Sequence, residues 1–94
     1  MEMLESDPDD VFLQYAVAMA CRSEGDAPEA LNRFGQVIEG HPDYVPAYFQ
    51  KGQLLAETGE TEAARQILTD GIAAAVKTGD SHAEGEMTEF LDSL

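Results

Sequence analysis

Two histidines, a single cysteine and the acidic run DPDD are the residues of this chain best suited to chemistry. His41 lies in EGHPDY and His82 in GDSHAE, and neither has a Cys or another His at metal-ligand spacing. A catalytic histidine needs a positioned nucleophile or acid–base partner in a pocket, whereas a histidine in a helix corner is a solvated or capping residue. Cys21 closes the apolar stretch VFLQYAVAMAC and reads as a small buried hydrophobe. DPDD, residues 7–10, lacks the ligand spacing and central glycine of a calcium loop. Its carboxylates suit instead the positive end of the helix that follows. Glu84, Glu86, Glu89 and Asp92 read as the solvated face of a last helix. No glycine-rich loop is laid out to cradle phosphate. These residues predict no catalysis, no resident metal and no cofactor.

Charge narrows the choice of partner. The chain has 94 residues, 19 acids and 5 bases, for a net charge of −14. That length makes one small domain with a modest core. Such a charge repels nucleic-acid phosphates and anionic lipid headgroups, so a charged partner should be basic. One cysteine excludes an intrachain disulfide. The longest apolar stretch, 11 residues interrupted by Gln14, is too short to cross a bilayer. The acidic opening MEMLESDPDD lacks the basic start and apolar centre of a secretory leader. The expected setting is the cytoplasm.

What must position these residues is a repeat. Shifting the sequence by 34 places aligns Pro8 with Pro42, Asp9 with Asp43, Gly25 with Gly59 and Ala30 with Ala64. Cys21/Leu55, Phe34/Leu68 and Ile38/Ile72 fall in the same register without a gap. Each unit reads as two helices. Over residues 10–23, Leu13, Val17, Ala20 and Cys21 recur at one-face helical spacing and are expected to point inward. Gly25 suits the left-handed residue that ends such a helix. Asp26, Pro28 and Glu29 then open a second helix, bearing Leu31, Phe34, Val37 and Ile38, that runs to Gly40 and stops before Pro42. Helices over 45–57 and 61–77 repeat the plan. Gly71 stands where the first unit has Val37, a substitution that lets a neighbouring helix come close. A last helix over 81–93 opens on Ser81 and Glu84 as a capping box and aligns Ala83, Met87, Phe90 and Leu91. No stretch alternates with period two, so no strands are expected.

The period and slots resemble the tetratricopeptide repeat, W-x2-L-G-x2-Y…A-x3-F…P over 34 residues. Tyr48, Gly52, Leu55, Ala64 and Leu68 fill its slots in the second unit, and Ala18, Cys21, Ala30, Phe34 and Pro42 in the first. Gln14, Lys51 and Val76 depart from it. The resemblance implies an all-α, α–α superhelix of two helical hairpins plus a C-terminal capping helix. Within one 1–94 domain, the first repeat covers about 8–41, the second about 42–78 and the cap about 81–93. Residues 3–10 resemble the tail and proline corner of a preceding unit. The family's first helices line a concave groove. On that pattern Phe12, Tyr15, Met19 and Arg22, turned away from Leu13 and Val17, join Phe49, Gln50 and Gln53 as candidate contacts for a partner peptide or helix.

The resemblance therefore implies a small, stand-alone, bacterial-type adaptor or scaffold that binds another protein without catalysis. The expected partner is basic or hydrophobic. Two rival expectations are chaperone-like shielding of one client and self-association as a homodimer that covers the open first edge.

Overall fold

The computed structural model describes residues 10–94. The corner at 3–10, with Met3 and Leu4, lies outside them apart from Asp10. Five helices follow one another in the described chain: α1 Val11–Ser23, α2 Ala27–Gly40, α3 Val45–Glu57, α4 Thr61–Thr78 and α5 Ser81–Asp92. Each packs on the next, and α3 also meets α5. The described residues contain no strand, and the architecture is all-α.

Local chemistry sets the ends. The Asp10 carboxylate accepts from the Phe12 amide at 2.9 Å, and the Asp26 carboxylate from the Glu29 amide at 3.3 Å, supplying orphan amides with acceptors. α5 departs from expectation. Asp80, not Ser81, caps it, accepting from the Ala83 amide at 3.1 Å. The reason lies one residue upstream. Gly79 turns left-handed at φ +76° and leaves Asp80 as the residue between that turn and the helix.

The turns closing α1 and α3 are the same object. Gly25 and Gly59 adopt φ +82° and +87°. The Gly25 amide donates to the Arg22 carbonyl at 3.0 Å and the Asp26 amide to the Cys21 carbonyl at 3.0 Å. Their counterparts 34 residues on run from Gly59 to Ala56 at 3.1 Å and from Glu60 to Leu55 at 2.8 Å. This nested pair satisfies the last helical carbonyls and needs a residue free of the Cβ clash at positive φ. It recurs after α4, where Gly79 donates to Val76 at 3.2 Å and Asp80 to Ala75 at 2.8 Å.

Among the described residues, two buried clusters form most of the core. Ala18, Ala30, Phe34, Val37, Ala47 and Leu54 make the first; Val45, Tyr48, Leu68, Ala74, Ala75 and Met87 make the second. Ile38 packs against both and links the two units. Phe34, Leu68 and Met87 are wholly buried, each contributing about 1.5–3 kcal/mol by leaving water. The shared cores tie the two hairpins and the last helix together. Val37 of α2 shares the first cluster with Ala47 and Leu54 of α3, and Met87 of α5 completes the second.

The inward face of α1 differs from the one its spacing suggested. Val17 is 42% exposed and Ala20 is exposed, while Val11, Tyr15, Ala18 and Met19 pack on the first cluster. Cys21 is partly buried against that cluster. α1 is apolar nearly all round, so periodicity fixes its stripes without fixing which stripe meets its neighbour. In the second unit the positions matching Leu13 and Ala20 are Ala47 and Leu54, both buried beneath the first unit. Val17 lies on the face where a preceding helix would stack.

Candidate partner-binding face

Side chains of the candidate face link α1 to α3 through Tyr15 and Arg22, and α3 to α5 through Phe49. At its first end stand the rings of Phe12, Tyr15 and Tyr44, with buried Phe34 behind them. Tyr15 sits between Phe34 and Tyr44, with centroids 5.9 and 5.2 Å away, and Phe12 meets the edge of Tyr44 at 6.4 Å. Phe12 itself is 72% exposed. Tyr44 follows the Pro42–Asp43 corner, where its amide donates to the His41 carbonyl at 2.9 Å.

Polar contacts continue the face across α1 and α3. Arg22 donates to the Gln50 side-chain oxygen at 2.6 Å and the Gln50 carbonyl at 3.3 Å, and its other terminal nitrogen reaches Glu57 at 2.6 Å. A planar guanidinium presents five donors in a fixed fork, which suits acceptors spread over two residues better than a lysine's three donors on one nitrogen. Burial raises the Tyr15 pKa, with Tyr44 adding to the effect; a hydrogen bond with the Gln50 side chain and the Arg22 charge offset part of it. Tyr15, Gln50 and Arg22 therefore form one connected group.

Phe49 stands apart from that group. It packs on the second core cluster and meets the edge of Phe90 on α5 at 6.0 Å. Met19 is half-buried against the first cluster and Gln53 is partly exposed on α3. Of the seven residues expected here, Tyr15, Arg22 and Gln50 are in contact, Phe12 joins through Tyr44, and Phe49 belongs with the cap. Tyr15, Met19 and Phe49 serve packing as well as the surface.

Sequence reasoning missed Tyr44, Glu57 and Phe90. Phe90 carried a signal, because its apolar stripe on α5 adjoins the helix bearing Phe49. Glu57 carried none, since its ion pair spans 35 residues.

The histidines stay at the corners. His82 Nε2 lies 3.4 Å from Glu86 on the exposed side of α5. His41 ends α2, its amide donating to the Val37 carbonyl at 2.8 Å. Among the described residues no three His, Cys, Asp or Glu side chains are grouped to hold a metal ion. No described helix is long and apolar enough to cross a membrane.

Comparison with known proteins agrees with this architecture. Residues 22–83 match the tetratricopeptide repeat family. The TPR repeat-containing protein PA0015 of Pseudomonas aeruginosa is 31% identical over 93 residues, spanning 99% of this chain and 89% of its own. A solution NMR structure of a tetratricopeptide repeat domain protein from Salinibacter ruber superimposes with a TM-score of 0.87 at 30% identity, covering 93% of this chain and 88% of that one. A crystal structure of such a domain from the same organism gives 0.83 at 28% identity, covering 89% and 93%. This chain belongs to the tetratricopeptide repeat family. Its fold is that of a protein–protein interaction module.

Proposed function

We propose that the protein is a non-catalytic adaptor that holds a segment of another protein along the face shared by α1, α3 and α5. The observation that carries this reading is Phe12, a large ring 72% exposed beside Tyr44 and Tyr15. Exposed aromatics with a packed base bury much area on contact at little entropic cost. Phe12, Tyr15, Met19, Arg22, Phe49, Gln50 and Gln53 line the binding face in this reading. The partner is a basic or hydrophobic peptide or helix, supported by the net charge of −14, which speeds encounter with cations and rejects nucleic acid and anionic membranes. The single cysteine supports a cytoplasmic setting. A photo-crosslinking residue at position 12 should capture one partner that the same residue at position 76 does not. Val76 is a suitable control because it is also exposed, at 59%. Equal capture at both positions would reject the assignment.

A second reading, a two-fold homodimer, draws on Val17. A dimer across α1 would cover Val17 together with Leu13 and Ala20, whose second-unit counterparts Ala47 and Leu54 are buried. Light scattering across a concentration series tests it, and a concentration-independent monomer removes it.

A further inference from the structure

We propose that the cleft between Phe49 and Phe90 is a subsite for a lysine or arginine side chain of the bound segment; the proposal rests on the reading of the α1–α3–α5 face as the binding face. The cleft measures 320 Å³ and is lined by Phe49, Glu86, Glu89, Phe90 and Ser93. The two rings meet edge to face, their centroids 6.0 Å apart, and both rest on the second core cluster, so the floor is apolar and held in place. Glu86 and Glu89 are exposed on the rim. The Ser93 hydroxyl is turned to its own helix, donating to the Phe90 carbonyl at 2.6 Å. His82, itself exposed, lies 3.4 Å from Glu86 at the rim.

An apolar floor beneath paired carboxylates matches one kind of side chain. Lysine and arginine lay a methylene stem on apolar surface and keep the charged head at the rim. A cation over an aromatic ring gains from the ring quadrupole as well as from the carboxylates. A purely apolar side chain would gain nothing from the two rim carboxylates, and an acidic one meets a field set by 19 acids against 5 bases. The cap helix thus supplies a third wall of the binding face besides covering the core.

The test is an NMR titration of the whole chain with the blocked tripeptide acetyl-Gly-Lys-Gly-amide. Its norleucine analogue, which keeps the stem and lacks the charge, and magnesium chloride, which supplies charge without a stem, are the comparison probes. The lysine peptide should shift the ring signals of Phe49 and Phe90 saturably. The norleucine peptide and magnesium should not reproduce that pattern. The Glu86→Gln/Glu89→Gln double variant should bind the lysine peptide about fivefold more weakly. A charge-matched control away from the cap, Glu24→Gln/Glu39→Gln, should bind it as the parent does. The proposal is overturned by equal weakening in both variants, by equal binding of the norleucine peptide, or by shifts spread over all exposed acids. Failure here is distinct from failure of the binding face. The cleft can ignore lysine while crosslinking at position 12 still captures a partner, and it can bind lysine while no crosslink forms.

Discussion

Gly71 of α4 backs directly onto Tyr48 of α3: a Cβ placed on the glycine would lie 2.6 Å from the Tyr48 Cβ and 2.7 Å from the Met87 sulfur. Three helices meet at that hydrogen atom. The Tyr48 Cβ is fixed to its backbone and cannot swing aside, so the close approach depends on the missing methyl group.

Gly71→Ala should therefore cost about 1–3 kcal/mol, the usual penalty for overpacking. Gly85, in α5, faces open space within 4 Å, and Gly85→Ala should stabilise by about 0.5–1 kcal/mol through helix propensity. Chemical denaturation of the two variants checks both signs. A neutral Gly71→Ala would mean that α3 and α5 can part without penalty.

Tyr48 carries a pH signature. Its hydroxyl donates to the Pro42 carbonyl at 2.7 Å, and Tyr48→Phe should cost about 1 kcal/mol at neutral pH. Burial, then the Asp70 and Asp43 charges, raises its pKa above the ordinary 10.0. As pH climbs, the unfolded chain gives up this proton before the folded one does. The stabilisation is therefore complete below pH 10.0 and is lost as pH rises through the folded-state value. Tyr15, raised chiefly by burial, acts in the same direction. Stability measured against pH should fall less steeply on the alkaline side in Tyr48→Phe; an unaltered slope would contradict the burial assignment.

Phe12 and Tyr15 should separate under substitution. Tyr15 is packed against Phe34 and Tyr44, and Tyr15→Ala should cost about 2–4 kcal/mol, in the range of large core truncations. Phe12→Ala should shift stability by only about 0.5 kcal/mol, as exposed positions do. Partner capture should suffer in both. Thermal melts separate the two contributions at Tyr15, and a large Phe12 effect on melting would reassign that ring to packing.

Removing residues 81–94 should abolish cooperative melting. Met87 is wholly buried in the second cluster, with Ala83, Phe90 and Leu91 packed around it. Val45, Tyr48 and Leu68 would lose that cover at once. A sharp melt retained by the shortened chain, followed by circular dichroism, would show that two hairpins suffice alone.

The repeat was legible because its markers are residues with few conformational substitutes. Gly25 and Gly59 need positive φ, Pro42 ends a helix, and Ala30 and Ala64 fit where little else does. Gly71 announced a close contact by replacing a bulky residue at a buried slot. The facing of α1 was not legible. Phe12, Leu13, Tyr15 and Val17 are all apolar, and which of them meets a neighbour depends on the packing of α2 and α3 rather than on spacing. The contacts of the proposed binding face were half legible for the same reason: position singles out Tyr15 and Phe49, but their ring partners, Tyr44 at the corner before α3 and Phe90 on α5, are distant in sequence. The cap was misjudged at Asp80, since capping chemistry alone does not tell a serine from the aspartate before it.

The three glycine turns bear on how such a chain changes length. Because Gly25, Gly59 and Gly79 close their helices with the same pair of amide bonds, each junction is self-contained and borrows nothing from a distant part of the sequence. Duplicating residues 24–57 in tandem would recreate an existing joint on either side of the insert, so growth by whole units meets no mismatched seam. A cut at any other spacing would offset Ile38 from the clusters it bridges, and evolution or a protein engineer would be held to the same 34-residue step.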